Sequence, residues 1–154
     1  MLRKIAVCFI VFLTLIPSNS FAANEDKCQS LKPIFGDKVE FDDGVCRVEV
    51  ARKELKVKHM GHILSPEMME LELNANFQTI GKQTYVMGEF ALLENEVQPV
   101  VDALRSAGVE VSAIHNHMIG EQPHMIYLHF QGMGDAQKLG TGVKQAMEKT
   151  SHSL

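Results

Sequence analysis

The order of hydrophobic periodicities in the second half of the chain restricts the fold more than any other feature. Residues 84–93 are rich in β-branched, aromatic and aliphatic side chains, which predicts a strand. Residues 94–107 carry apolar side chains at helical spacing, begin with acidic residues and stop at a glycine, which predicts a helix. Two further strands are predicted at 109–117 and 124–131, followed by a helix that Asp135 caps.

This β-α-β-β-α succession resembles most of a ferredoxin-like sandwich, so we predict an α+β fold. Residues 39–41 and 45–50 alternate apolar and polar side chains around Asp42-Asp43-Gly44, which is typical of a β-hairpin. We expect this N-terminal hairpin to extend or cover the sheet. With 154 residues the chain fits one domain and little more, and we assign that domain to residues 39–150.

The first 22 residues have the pattern of a secretory signal peptide. Arg3 and Lys4 precede an apolar run over residues 5–16, and Ser20 and Ala22 are small residues at the two positions that a signal peptidase inspects. The run is shorter than the roughly 20 residues of a spanning helix, so we expect no stable membrane span after cleavage. We therefore predict a periplasmic or secreted protein, with a signal peptide over 1–22 and a polar tether over 23–38.

The cysteines and the charge narrow the class of protein further. Cleavage after Ala22 leaves Cys28 and Cys46 as the only thiols. In an exported chain, two cysteines without Cys-x-x-Cys spacing favour one disulfide over a metal pair or a redox pair. The chain has 19 acidic residues against 15 basic ones, so no global field attracts nucleic acid, and we expect no such partner.

Histidines concentrate in the predicted hairpin, where four of the seven fall between residues 115 and 129. Side chains alternate along a strand, so His115 and His117 share a face, and pairing of odd residues with odd residues adds His129. Three imidazoles with a carboxylate or a water are typical of a zinc site. We predict His115, His117 and His129 as metal ligands. Glu89, a polar residue in an apolar strand, is the candidate fourth ligand or general base. We predict Glu89 and His117 as the catalytic residues.

The register of the hairpin decides whether this site exists. If the apolar side chains of both strands enter one core, His115 and His117 lie at the inner end of that face and His129 lies outside it. A bulge near Gly120, or a shift of register by one residue, reverses this arrangement. The residues therefore leave open a three-histidine site or a mere pair.

Several functions are compatible with the pattern. For a divalent metal site the predicted reaction is metal-activated hydrolysis, and we favour zinc over copper. Met60, Met118 and Met125 each adjoin a histidine, so a copper-handling protein is one alternative. A second alternative is a non-catalytic module in which the histidines and Tyr127 line a pocket for a small molecule or a cell-wall fragment. In a third, the histidines are structural surface residues.

Several short elements form a set that is not explained by secondary structure alone. They are Met87-Gly88-Glu89, residues 92–97 with Pro99-Val100, Ala113-Ile114-His115-Asn116-His117, Tyr127-Leu128-His129 and Gly132-Met133-Gly134-Asp135. This set resembles the LppY/LpqO family of exported bacterial proteins, which contain a domain of unknown function, and the likeness covers about residues 45–148. Ala51-Arg52-Lys53-Glu54 stands where family members often have Pro-Arg-x-Asp. The resemblance implies export, directs attention to His115, Asn116, His117 and His129, and implies no particular reaction.

Overall fold

The computed structural model describes residues 28–151 of the chain. The predicted signal peptide lies outside this range. The described helices are α1 Lys32–Phe35, α2 Glu94–Ser106 and α3 Ala136–Met147. The described strands are β1 Val39–Asp42, β2 Val45–Ala51, β3 Lys58–His59, β4 His62–Ile63, β5 Glu72–Ile80, β6 Gln83–Leu93, β7 Glu110–Asn116 and β8 Met125–Gly134. None of the helices described is long and apolar enough to span a bilayer.

Six of these strands form one antiparallel sheet in the order β1-β2-β5-β6-β8-β7, while β3 and β4 form a small separate ribbon. The segment from β6 to α3 has the predicted β-α-β-β-α succession, and the α+β sandwich is confirmed. The β1–β2 hairpin extends the sheet beyond β5. Its turn contains Asp43 and Gly44 at φ 44° and 85°, values that aspartate and glycine tolerate better than most residues.

One face of the sheet, here the covered face, packs against the helices. Along β2 and most of β5 and β6, apolar side chains at alternate positions point to this face, which gives these strands their alternating burial. The resulting core contains, among others, Val48, Phe77, Val86, Phe90, Leu128 and Phe130 from the sheet and Val100, Leu104, Leu139, Val143 and Met147 from the helices. Most of the hydrophobic stabilisation is therefore on this side.

The opposite face, here the open face, is covered and buried at one end. There a second buried cluster forms beneath the segment that connects β2 to β5; it contains Leu55, Val57, Met69, Leu71, Ala91, Met125 and Tyr127. Beyond this cluster β5 presents Glu72, Asn74 and Asn76, and β6 presents Glu89. The polar part of this face borders the candidate functional site.

The segment 28–38 is packed, which differs from the expected tether. Leu31, which directly precedes the short helix α1, and Phe35, the last residue of that helix, are buried in the main core. Cys28 forms the predicted disulfide with Cys46 of β2, with the two Cα atoms 5.7 Å apart. The expected tether, residues 23–38, is mainly polar, but the apolar side chains of its second part, Leu31, Ile34 and Phe35, recur at helical spacing, and that spacing allows one side of the segment to be buried.

Candidate metal centre

A β-bulge in β7 brings the histidines of the hairpin to the open face. Val111 lies opposite Phe130, whereas Ala113 lies opposite His129, so Ser112 has no counterpart on β8. Val111 therefore points towards the covered face, and the following odd residues turn to the open face. Of the two possibilities left open by the sequence, a bulge near Gly120 or a shift of register by one residue, the structure has the shift, at Ser112. It allows Val111 to pack in the core while His115 and His129 share the open face.

Three side chains from three adjacent strands converge at this point: Glu89 of β6, His115 of β7 and His129 of β8. Nε2 of His129 lies 2.9 Å from Nε2 of His115 and 2.6 Å from a carboxylate oxygen of Glu89. One potential ligand atom from each residue lies within 4.8 Å of the other two. Four ligands at 2.0–2.1 Å around a tetrahedral zinc ion lie roughly 3.3 Å apart, so small side-chain rotations suffice for coordination.

The main chain beside His115 fixes the orientation of that ring. Nδ1 of His115 lies 3.1 Å from the carbonyl oxygen of Asn116, and because a carbonyl only accepts, Nδ1–H is the donor. In the neutral ring Nε2 then carries the lone pair that a metal requires. Asn116, which the sequence singled out, thus contributes through its backbone carbonyl.

His117 lies outside the group formed by Glu89, His115 and His129. Its Nδ1 lies 2.7 Å from the carboxylate of Glu121, which also accepts from the backbone N–H groups of Met118 and Met125 at 3.2 and 3.1 Å. Glu121 is buried, and His117 is nearly so. These contacts tie together the loop between β7 and β8, so the structure gives His117 a position in the loop and not a place among the clustered donor atoms.

Tyr127 separates His117 from the cluster. Its ring stacks on His117 with centroids 4.5 Å apart and faces His115 at 5.8 Å. The phenolic hydroxyl donates to the backbone carbonyl oxygen of Glu70 at 2.7 Å, with that of Met69 at 3.1 Å. Burial, followed by the charge of Glu89, raises the pKa of Tyr127, so its hydroxyl stays protonated. Tyr127 therefore packs between the second apolar cluster and the three converging side chains.

The thioethers beside the predicted ligands serve packing. Met125 is fully buried in the second apolar cluster, and Met118 packs against that cluster from outside. These positions account for two of the methionines on which a copper site would depend.

A cavity of about 290 Å³ borders two of the three converging side chains, Glu89 and His129. It is lined by Glu72, Asn74, Asn76, Met87, Gly88, Glu89, Ser112, His129 and Phe130. The three polar residues of β5 in this lining were not anticipated. Their signal is the alternation of Glu72, Asn74 and Asn76 with the buried residues Leu73, Ala75 and Phe77, which indicates a strand with one polar face.

An ion pair buried beneath the end of β6 was also missed. The Arg52 guanidinium, which is fully buried, donates to both carboxylate oxygens of Glu96 at 2.6 and 2.9 Å and to the carbonyl oxygen of Ala91 at 2.8 Å. Burial alone would raise the pKa of Glu96, but hydrogen bonds from Arg52 and from the backbone N–H groups of Leu93 and Ser151 outweigh it and lower that pKa. Arg52 thus connects β6, two residues beyond Glu89, to the start of α2.

Comparison with known proteins identifies the domain but adds no activity. No curated protein and no solved structure matches the chain. A family model described as a Domain of Unknown Function (DUF1259) matches residues 29–149. The match contains all six strands of the large sheet, the Arg52–Glu96 pair and the three converging side chains. The chain therefore belongs to the DUF1259 family of domains of unknown function.

Proposed function

We propose that this protein binds a divalent metal ion, zinc in preference to copper, through Glu89, His115 and His129. The observation that carries the proposal is the convergence of these three donors within 4.8 Å. Two imidazoles and one carboxylate are a ligand set of catalytic zinc sites, in which a water takes the fourth position. A rigid sheet supplies all three residues, which favours a preorganised site.

The reaction we propose is metal-activated hydrolysis. The side chains of Glu89 and His129 are 37% and 38% exposed and line the cavity, so the site is accessible to water and to a substrate. Zinc bound in such a set lowers the pKa of its water to about 7, which supplies a nucleophile at neutral pH. In this proposal Glu89 acts as a ligand, and His117 acts through Glu121 to hold the loop.

Zinc titration of the disulfide-bonded protein by calorimetry tests the ligand set. We expect one zinc ion per chain with a Kd below about 10 µM. Replacing either imidazole, in His115→Ala or His129→Ala, should weaken binding by at least about 100-fold, because two donors remain. His124→Ala is the matched control, since this histidine lies on the same hairpin, pairs with the exposed Glu94 and should not affect affinity.

His117→Ala distinguishes the proposed set from a three-histidine site. We expect the zinc affinity of this variant to stay within about threefold of the wild type, since its ring is held by Glu121 and Tyr127. Circular dichroism confirms that each variant is folded. A folded His129→Ala that binds zinc normally, or a folded His117→Ala that loses zinc as His129→Ala does, would contradict the assignment.

Hydrolysis is tested separately with p-nitrophenyl acetate. The zinc-loaded protein should cleave this ester faster than the same concentration of free zinc, with a rate that rises with pH around a midpoint of about 7. His129→Ala should reduce the rate to that of free zinc. A zinc-loaded protein with no excess rate would reject the hydrolytic proposal and leave the metal site in place.

Two further proposals concern origin and location. We propose that the chain is a member of the LppY/LpqO group and is exported to the periplasm. The elements that resemble that group, including His115-Asn116-His117 and Tyr127-Leu128-His129, lie inside the matched residues, and the Cys28–Cys46 disulfide supports an oxidising compartment. Mass spectrometry of the protein from fractionated cells tests export, since a processed chain should begin at Ala23 and occur in the periplasmic fraction.

A further inference from the structure

Three polar side chains of β5, here the polar row, lie in a line beside the proposed metal site. They are Glu72, Asn74 and Asn76, and all three line the same cavity as Glu89 and His129. Asn76 Nδ2 donates to Asn74 Oδ1 at 2.8 Å, and Asn74 Nδ2 donates to Glu72 Oε1 at 3.4 Å. Each amide is thus oriented by the next, so the row has a defined direction.

The two ends of the polar row differ in what they offer a ligand. At one end Asn76 Oδ1 is buried and accepts no hydrogen bond from the described residues. A buried acceptor without a donor is costly, and rotation of the Asn76 amide towards a ligand hydroxyl in the cavity that Asn76 lines removes that cost. At the other end Glu72 lies diagonally across from Glu49 of β2. Burial, and then the hydrogen bond with Glu49, raise the pKa of Glu72 to about 7, so at neutral or lower pH this carboxyl holds a proton in its hydrogen bond with Glu49, and its oxygens still accept from a ligand.

The surroundings of the polar row select against negative charge. Glu49 of β2 and Glu89 of β6 lie on either side of Asn74 and face this side of the sheet, so an anionic ligand on the row meets a carboxyl group from both neighbouring strands. Met87, 63% exposed, lies directly opposite Asn76 on β6 and lines the same cavity. The cavity lining thus combines hydrogen-bonding groups with an apolar surface, which matches the hydroxyl edge and the C–H face of a sugar ring.

We propose that the polar row binds an uncharged saccharide and presents it to the metal held by Glu89, His115 and His129. This inference rests on the proposed metal site and specifies the class of its ligand. Asn76 Oδ1 accepts from one ligand hydroxyl, Glu72 bonds to another, and Met87 packs against the ring. No covalent step is assigned to these residues.

Titration of the zinc-loaded protein with saccharides, followed by amide NMR shifts, tests the proposal. The probes are chitotetraose and cellotetraose, which are neutral, and tetragalacturonate, which is anionic. We expect at least one neutral probe to bind with shifts centred on β5 and β6, and tetragalacturonate to bind at least tenfold more weakly. Asn76→Ala should weaken neutral binding at least tenfold, whereas Gln78→Ala, on the same face of β5 beyond the cavity lining, should change it less than twofold.

The variant Asn76→Asp keeps the size of the side chain and provides a second test if the alanine variant unfolds. It removes the donor to Asn74 and adds a charge, so neutral binding should again fall at least tenfold. Binding of neither neutral probe at 10 mM, equal binding of the anionic probe, or normal binding by folded Asn76 variants overturns the saccharide proposal.

Zinc affinity measured on the same samples separates this proposal from the metal site on which it rests. If zinc binds through the two imidazoles and no saccharide does, only the polar row has been misassigned. If zinc itself does not bind, the proposed function fails first.

Discussion

The two faces of the six-stranded sheet use the same strands for different purposes. On β8, Phe130 is buried against Phe90 with ring centroids 4.9 Å apart, while its neighbour His129 faces the cavity. On β6, Phe90 is buried and its neighbour Glu89 faces the cavity. The covered face supplies the apolar contacts that stabilise the fold, and the open face keeps the polar groups that chemistry needs. Substitutions at adjacent residues should therefore have different effects: those on the covered face should lower stability, and those on the open face should weaken metal binding.

The largest loss of stability is expected from an ion pair that belongs to neither face. Arg52→Met leaves Glu96 buried without its main partner, which typically costs about 3–5 kcal/mol. The double variant Arg52→Met/Glu96→Leu should recover most of this loss, because no unpaired charge remains. Urea unfolding measures both free energies, and a single variant as stable as the wild type would show that the pair is not supporting the end of β6.

The same pair has a defined pH dependence. The pKa of Glu96 is lowered from its ordinary 4.5, so its stabilisation is present above that value and is lost as the pH falls through the lowered pKa. Unfolding measured from pH 6 down to pH 2 should show this decline in the wild type. The double variant should show a shallower decline, since it lacks the carboxyl.

Zinc should have the next largest effect, and it should act through the open face alone. At a free concentration of 100 times the Kd, a ligand that binds only the folded state adds about 2.7 kcal/mol to the free energy of unfolding. This increase should appear in the wild type and in His117→Ala and vanish in His129→Ala. Thermal unfolding with and without zinc measures the effect; equal stabilisation of all three proteins would indicate binding elsewhere.

Much of the assignment of residues to the two faces could be predicted from the sequence, because hydrophobic periodicity is a local property. The alternation around Asp43-Gly44 predicts the first hairpin, and the succession from β6 to α3 follows from apolar spacing. His115 and His129 meet because odd residues pair with odd residues, as one of the two open registers required. Glu89 stood out as the one charged residue in a largely apolar strand. Each of these features depends on neighbours within one or two elements.

The remaining features depend on contacts between distant segments. The residues Val109 to Ala113 show no sign of a bulge at Ser112; it arises because Val111 packs in the core while His115 pairs across the open face. His117 follows the last residue of β7, so strand alternation no longer fixes its direction. The polar row lies beside Glu89 only because β5 pairs with β6. The pairing of β5 with β6 depends on contacts throughout the sheet and not on the sequence of these two strands alone.

Neighbouring residues of β6 offer the most direct test of the two faces. A Cβ on Gly88 would overlap the ring of Phe130 and the carbonyl oxygen of Asn74, so Gly88→Ala should cost about 1–3 kcal/mol. Glu89→Gln, one residue on, should change stability by less than about 0.5 kcal/mol and weaken zinc binding at least tenfold. Urea unfolding and zinc titration of the two variants should give opposite rankings, and a Glu89→Gln that is the less stable of the two would contradict the division.

The smallest expected effect concerns Glu72, which is the one group of the polar row that titrates. Its pKa is raised from 4.5 to about 7, so its contribution to stability is complete below pH 4.5 and declines as the pH rises through 7. Glu72→Gln cannot ionise, so it should match the wild type at pH 4.5 and exceed it at pH 8. The gain should be on the order of a few tenths of a kcal/mol, because water screens a partly exposed carboxyl. Glu49→Gln should also raise stability at pH 8, but by a smaller amount, since burial, the larger cause of the raised Glu72 pKa, remains. Glu148→Gln, at an exposed position, should leave stability unchanged. Urea midpoints at the two pH values measure the difference, and a Glu72→Gln variant that gains nothing at pH 8 would show that Glu72 carries no proton at neutral pH.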